Sequence, residues 1–146
     1  MTQSPIPKEA LRVMLVDDFP SMRKIISDQL VALGISGKNI IQMKNGDEAL
    51  AALRGGSDDA VDLIVSDWVM PKMSGIEFLR TVKADSELQA IPFVMLTSEG
   101  SKEQVVEAIK EGVNGYIVKP ASIGTMTAKL HSLFPHAGFQ AAANKS

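Results

Sequence analysis

Short apolar runs alternate with longer segments of mixed polarity along most of this 146-residue chain. The runs are about three to five residues long and contain few polar side chains, which is typical of strands buried on both faces of a parallel sheet. They lie at residues 13–16, 40–43, 63–65, 93–96 and 116–118. The pattern therefore predicts five short parallel strands.

Apolar residues in the segments that follow these runs recur with i, i+3 and i+4 spacing, which indicates amphipathic helices. The fourth of these segments carries Val105, Val106 and Ile109 and ends at Gly112. The helices are predicted at about residues 22–33, 47–53, 74–84, 101–111 and 123–134. Five strand–helix units in succession predict an α/β fold, a doubly wound (βα)5 sandwich of the flavodoxin-like kind with helices on both faces of a five-stranded parallel sheet.

The alternating pattern fills residues 11–134, which we interpret as one domain. Residues 1–10 are polar and contain two prolines, and residues 135–146 show no amphipathic period, so we expect both ends to be flexible. The chain has no apolar stretch of the roughly 18 residues that a membrane helix needs, and its start lacks the apolar core of a secretory signal. We therefore expect a cytoplasmic protein that does not enter a membrane.

Composition argues against several classes of function. Without cysteine the chain forms neither disulfides nor thiolate-bound zinc sites. Its 15 basic and 17 acidic residues give a formal net charge of −2, which provides no broad positive field for a phosphate backbone. We therefore expect no direct nucleic-acid partner.

Reactive side chains follow four of the predicted strands. Asp17 and Asp18 follow the first, Asp67 the third, Thr97 the fourth and Lys119 the fifth. The carboxyl ends of parallel strands meet at one edge of the sheet, where ligands bind in open α/β folds. A single Asp at a strand end is more often a turn or helix cap than a catalyst, but capping does not predict that all these groups share one edge.

The chemistry of this edge favours a hard cation and a phosphoryl group. Three carboxylates in one crevice repel one another, and an all-oxygen site without histidine or cysteine suits magnesium. A carboxylate beside the metal can attack a phosphoryl group. Lys119 would then supply positive charge, and Thr97 a hydroxyl donor, to the oxygens of the transferred group.

Two other classes of protein use related chemistry. A metal-dependent phosphohydrolase with an aspartyl nucleophile places Asp-x-Asp after its first strand, whereas this chain has Asp17-Asp18-Phe19 and no room for a cap domain. A mononucleotide-binding protein needs a glycine-rich turn at that position, and the two acids would repel phosphates unless a metal were bound. Repeated turnover of a phosphoester would distinguish the hydrolase from a protein that labels itself once.

The residues at the strand ends resemble the receiver domain of two-component response regulators. The matching segments are VDD at residues 16–18, SDWVMPKMSG at 66–75, LTSE at 96–99 and GYIVKP at 115–120. The resemblance covers about residues 10–134 and is nearest to the stand-alone chemotaxis members of the family. It implies a protein that catalyses only its own phosphorylation and dephosphorylation and is otherwise not an enzyme.

The resemblance implies a role for each matching residue at the carboxyl edge. Asp67 would be a metal ligand and would accept a phosphoryl group from a histidine kinase or a small phosphodonor. Asp18 would bind magnesium directly, Asp17 mainly through water, and the backbone carbonyl of Val69 would complete the protein ligands. Thr97 and Lys119 would bind the phosphoryl oxygens, and the bond from Lys119 to the next proline would be cis.

The resemblance also implies a switch and a surface for partners. Phosphorylation would draw the Thr97 hydroxyl inward, and Tyr116 would rotate into the space that it leaves. The residues that match the partner-contact face are Lys102, Val105, Tyr116, Val118 and Lys129. The implied partners are a histidine kinase, a flagellar motor switch protein or a histidine phosphotransfer protein, and a phosphatase, with the receiver acting as a monomer. A relay intermediate or a phosphate sink for a shared kinase stays open as an alternative.

Two positions bear on how far the chemotaxis pattern applies. Val69 stands where close relatives carry asparagine, and Ala121 stands where they carry an aromatic residue after Lys-Pro. The first change puts the dephosphorylation kinetics in question, and the second removes bulk from the docking face.

Gly75 suits a turn into the third helix that needs a positive φ.

Overall fold

The computed structural model describes residues 6–55 and 60–139, and these form a five-stranded parallel sheet with five α-helices. The strands are β1 (Val13–Val16), β2 (Ile40–Met43), β3 (Leu63–Ser66), β4 (Phe93–Thr97) and β5 (Gly115–Val118). The helices are α1 (Pro20–Ala32), α2 (Gly46–Arg54), α3 (Gly75–Ala84), α4 (Lys102–Lys110) and α5 (Ile123–Leu133). The strand order is β2-β1-β3-β4-β5, which confirms the predicted flavodoxin-like fold.

The sheet carries a hydrophobic core on each face. Val13 and Leu15 of β1 belong to one core, together with side chains of α1 and α5, while Met14 and Val16 belong to the other, with side chains of α2, α3 and α4. Successive residues of a strand point to opposite faces, so an uninterrupted apolar strand supplies both cores at once. This explains why the strands read as continuous apolar runs.

Side-chain caps fix the starts of α2, α3, α4 and α5 close to the ends of the strands. Asn45 accepts from the backbone of Glu48 at the start of α2, and Ser74 forms a capping box with Glu77 at the start of α3. Ser101 and Ser122 cap α4 and α5 in the same way. Each cap satisfies a backbone N–H that the helix leaves free. The connections at the carboxyl edge of the sheet are therefore held in defined conformations.

The packed region extends beyond the predicted limits of 11 and 134. Residues 8–10 form a short 3₁₀ turn, and the backbone N–H of Lys8 donates to the carbonyl of Ala137 at 2.8 Å. Ala137 and Phe139 are buried in the core beneath α1 and α5. Helical periodicity does not reveal such a segment, because only two apolar side chains, those of Ala137 and Phe139, pack on the core and two residues show no period. Residues 1–5 and 140–146 lie outside the described part.

Within that described part, no helix has the length and apolar content needed to cross a membrane.

Replacement of Phe139 by alanine tests whether the segment after α5 belongs to the folded unit. Because the ring is buried, we expect Phe139→Ala to lower the free energy of unfolding by about 3 kcal/mol or more, measured by urea denaturation. Phe19→Ala is the matched control, since that ring is 61% exposed and its loss is expected to cost less than about 1 kcal/mol. Equal effects of the two substitutions would show that the segment is detached in solution.

Candidate functional site

Three aspartates meet at the carboxyl edge of the sheet. β1 pairs with β3 so that Val16 lies opposite Ser66, and Asp17 and Asp67 are the next residues of the two strands. Each of Asp17, Asp18 and Asp67 contributes a carboxylate oxygen, and these oxygens all lie within 4.8 Å of one another. The adjacency that the strand-end pattern predicted for these acids is therefore present.

Lys119 brings a positive charge to this cluster. Its Nζ lies 2.9 Å from Oδ2 of Asp17 and 3.5 Å from Oδ2 of Asp67. The backbone N–H of Lys119 donates to the carbonyl of Thr97 at 2.8 Å, which attaches the end of β5 to the end of β4. The peptide bond from Lys119 to Pro120 is cis, which confirms that prediction.

The carboxylate oxygens differ in how they are bonded. Oδ1 of Asp17 accepts from the backbone N–H of Phe19 at 3.0 Å, and Oδ1 of Asp67 accepts from that of Trp68 at 2.7 Å. Oδ1 of Asp18 is buried and has no hydrogen-bond partner in the described structure. A buried carboxylate oxygen without a donor is costly, and a cation would satisfy it. These all-oxygen ligands therefore fit magnesium.

Thr97 lies fully buried at the end of β4. Its Oγ1 accepts from the backbone N–H of Glu99 at 3.2 Å. Among the residues described, no hydrogen bond joins this hydroxyl to the carboxylate of Asp67. The structure thus places Thr97 at the predicted edge, with its hydroxyl engaged by the connection that leads to α4.

Val69 and Gly75 lie in the connection and helix start that follow Asp67. Val69 is 57% exposed, so an apolar residue faces solvent two positions after Asp67. At Gly75 a Cβ atom would lie 2.1 Å from the carbonyl oxygen of Asp67, and its N–H donates to the carbonyl of Trp68 at 2.6 Å. Gly75 is not one of the residues with positive φ, so that predicted reason for the glycine is wrong. Glycine is required there because the backbone of Asp67 passes too close for a side chain.

Tyr116 connects the site to α4. Its hydroxyl donates to the backbone carbonyl of Glu99, and its ring packs edge-on against Trp68 with the centroids 6.4 Å apart. Burial raises the pKa of the Tyr116 hydroxyl above its usual value, and the negative charges of Glu99 and Asp67 raise it further. The backbone of Glu99 therefore bonds Thr97 through its N–H and Tyr116 through its carbonyl.

The other predicted partner-face residues lie on α4, β5 and α5. Lys102 is exposed and Val105 half-buried on α4, while Val118 is exposed on β5. The stem of Lys129 covers Gly115, where an added Cβ would lie 2.8 Å from its Cδ. The structure thus distributes these side chains over three neighbouring elements at the surface.

Sequence reasoning missed two apolar residues of this surface. Val106 and Ile109 are exposed, Ile109 to 61%, and only Ala108 is buried among the residues of α4. Their helical spacing predicted an apolar face against the core, but α4 turns much of that face to the outside. Amphipathic period alone cannot distinguish a face that packs on the core from one that is free.

The sequence of this chain is similar to those of a known protein family. The model of the response regulator receiver domain matches residues 13–131. The chain belongs to the response regulator receiver family. Among curated relatives of this receiver, "Chemotaxis protein CheY-3" of Vibrio cholerae is 41% identical over 124 residues, 85% of this chain and 92% of that protein. "Chemotaxis protein CheY" of Pseudomonas aeruginosa is 40% identical over 124 residues, 85% of this chain and 96% of that protein.

Solved structures agree with this assignment. The structure of chemotaxis protein CheY4 of Vibrio cholerae superposes on the receiver with a TM-score of 0.72 at 33% sequence identity. The superposition covers 84% of this chain and 98% of the CheY4 chain. Receiver domains bind Mg²⁺ at an acidic cluster, and the cluster of Asp17, Asp18 and Asp67 is such a group.

The single tyrosine of the chain allows a direct test of the environment of Tyr116. We expect a pH titration of tyrosinate absorbance to give a midpoint above the usual pKa of 10.0. Because folding raises the pKa of Tyr116, the neutral hydroxyl contributes to the free energy of unfolding in full below the pKa of the unfolded chain. This contribution is lost as the pH rises through the pKa of the folded protein. Glu99→Gln should move the midpoint part of the way back. A midpoint at or below the usual value in the folded receiver would contradict the observed environment.

Proposed function

We propose that this receiver is a cytoplasmic, monomeric single-domain response regulator. In this proposal Asp67 accepts a phosphoryl group from a histidine kinase, and the phosphorylated receiver binds a flagellar motor switch protein. The observation that carries the proposal is that Asp67 contacts Lys119 and shares a cluster of carboxylate oxygens with Asp18, whose buried Oδ1 is unbonded. Asp67 therefore has both a cation and a neighbouring carboxylate that is free to bind a metal.

The two oxygens of Asp67 have different roles in this proposal. Oδ1 is held by the backbone N–H of Trp68, whereas Oδ2 has, within the described residues, only the 3.5 Å contact with Lys119, so Oδ2 is the proposed nucleophile. It attacks phosphorus, the phosphorus–nitrogen bond to the imidazole of the donor breaks, and the electron pair of that bond returns to the nitrogen. Lys119 then donates to the oxygens of the new acyl phosphate. Bound magnesium would supply positive charge for the same oxygens.

Asp17 and Asp18 divide the remaining work between them. Both oxygens of Asp17 are already occupied, one by the N–H of Phe19 and one by Lys119. This supports a role for Asp17 in holding Lys119 and in binding magnesium through water. Oδ1 of Asp18 has no such partner, which supports its role as the direct metal ligand. The backbone carbonyl of Val69 is proposed as the last protein ligand.

The proposed switch passes through the backbone of Glu99. If the Thr97 hydroxyl turns toward the phosphoryl group, its hydrogen bond with the N–H of Glu99 is lost. The carbonyl of Glu99 accepts from Tyr116, so a shift of this connection changes the position of the tyrosine. The proposed output is a changed surface formed by Lys102, Val105, Tyr116, Val118 and Lys129.

Val69 and Ala121 are two positions at which this receiver differs from the residues that chemotaxis receivers carry. The side chain of Val69 cannot orient a water or a phosphatase side chain, so slow loss of the phosphoryl group is expected. A relay intermediate or a phosphate sink is the alternative to motor binding. The exposure of apolar side chains on α4 and β5 supports an output that depends on protein contact.

Covalent labelling tests the proposed chemistry. We expect acetyl phosphate or phosphoramidate with Mg²⁺ to add one phosphoryl group of about 80 Da, detected by intact mass spectrometry. Asp67→Asn should abolish this gain, as should omission of Mg²⁺, because a nucleophile or its charge partner is then missing. Asp28→Asn, an exposed aspartate on α1, is the matched control and should label normally. No labelling of the folded receiver by any donor would contradict the proposed mechanism.

Two valines of equal exposure test the proposed partner surface. Val118 on β5 and Val31 on α1 are each 47% exposed. We expect Val118→Glu to weaken binding of the phosphorylated receiver to the motor switch protein by about tenfold or more, because a charge would be buried at the contact. Val31→Glu should leave the dissociation constant unchanged. No binding by the labelled wild type, together with phosphotransfer to a histidine phosphotransfer protein, would favour the relay instead.

A further inference from the structure

Arg23 lies in the first turns of α1 and reaches back to the end of β1. Its Nη1 donates to the backbone carbonyl of Asp17 at 2.6 Å, and its Nε donates to Oε1 of Gln42 at 3.2 Å. Gln42 belongs to β2, the strand that pairs with β1 on the side away from β3. The guanidinium therefore ties α1, β1 and β2 together immediately beside the aspartate cluster.

The carbonyl that Arg23 holds belongs to the peptide unit directly before Asp18. β1 ends at Val16, so the carbonyl of Asp17 lies beyond the strand, and Arg23 supplies its hydrogen bond. This carbonyl is part of the peptide unit that joins Asp17 to Asp18. Because Oδ1 of Asp18 has no donor of its own within the described chain, the backbone must fix where that oxygen points.

We propose that Arg23 is a positioning residue for magnesium: by fixing the peptide between Asp17 and Asp18 it aims the unbonded oxygen of Asp18 into the metal site. This inference rests on the metal site of the proposed function. It assigns no contact between Arg23 and the metal or the phosphoryl group. Outer residues that hold a metal ligand in place typically change metal affinity by about 10- to 100-fold when they are removed.

The charge of Arg23 and its proposed positioning role predict opposite changes in Mg²⁺ affinity when the residue is replaced. A positive charge near a cation site repels the cation, so its removal alone should tighten Mg²⁺ binding. If the hydrogen bond to the Asp17 carbonyl matters more, removal should weaken binding. A purely structural role would lower the stability of the fold without changing the Mg²⁺ affinity of the folded protein.

The test is a titration of the full chain with MgCl₂, monitored by calorimetry and by the fluorescence of Trp68. Trp68 is the single tryptophan, and its backbone N–H donates to Oδ1 of Asp67. Arg23→Met removes both the charge and the hydrogen bonds, while Arg23→Lys retains the charge and loses the forked geometry. Lys24→Met is the matched control, since it removes the same charge from the next residue, which pairs with Asp28 at the surface. Urea denaturation in EDTA establishes that each variant is folded.

We expect Arg23→Met to raise the dissociation constant for Mg²⁺ about tenfold, Arg23→Lys to raise it less, and Lys24→Met to leave it unchanged or slightly lower. Gln42→Leu keeps the charge at Arg23 and removes its support on β2, so we expect a weakening of a few-fold even if Arg23→Met does not fold. Unchanged or tighter Mg²⁺ binding by the folded Arg23 and Gln42 variants would overturn the proposal and leave the proposed function intact. A wild type that neither binds Mg²⁺ nor becomes labelled would overturn both.

Discussion

The site depends on the repulsion among three carboxylates whose oxygens lie within 4.8 Å of one another. Two like unit charges about 4 Å apart cost about 4 kcal/mol at an effective dielectric constant of about 20. Lys119 and the N–H groups of Phe19 and Trp68 offset part of this cost, yet one buried oxygen of Asp18 receives no donor. The fold therefore holds an excess of negative charge that a cation relieves. That unrelieved charge is what makes the edge a site rather than a set of helix caps.

The proposed switch relies on contacts made by a single residue of the connection between β4 and α4. The N–H of Glu99 donates to Thr97 at the end of β4, and its carbonyl accepts from Tyr116 on β5. The helix that follows, α4, contributes only one buried residue, Ala108. Arg80 of α3 pairs with Glu107 on α4 and with Glu111 just after it. Surface ion pairs of this kind contribute little individually. An element with few buried contacts is one that can shift at low cost.

Sequence reasoning predicted most of the fold and the residues of the site, but not the contacts between them. Uninterrupted apolar runs identify strands buried on both faces, and parallel strands place Asp17, Asp67 and Lys119 at one edge by topology alone. The docking of Phe139 was missed because a single aromatic residue has no period. The exposure of Ile109 was missed because a helical pattern shows that a face is apolar, not what covers it. Gly75 was recognised for the wrong reason, since only the path of the Asp67 backbone reveals the steric conflict.

The adjacent aspartates Asp17 and Asp18 differ in how far the protein satisfies their hydrogen bonds. Asp17 is bonded at its N–H, at its carbonyl and at both carboxylate oxygens, so it is among the most constrained side chains of the edge. Asp18 keeps an unbonded oxygen. A carboxylate that binds an exchangeable metal, the role proposed for Asp18, cannot be satisfied by the protein, because every internal donor would compete with the ion. The fixed neighbour is then necessary, since it gives direction to a carboxylate that must stay free. The proposed metal binding at this edge therefore depends on a fully bonded residue, Asp17, next to one with an unbonded carboxylate oxygen, Asp18.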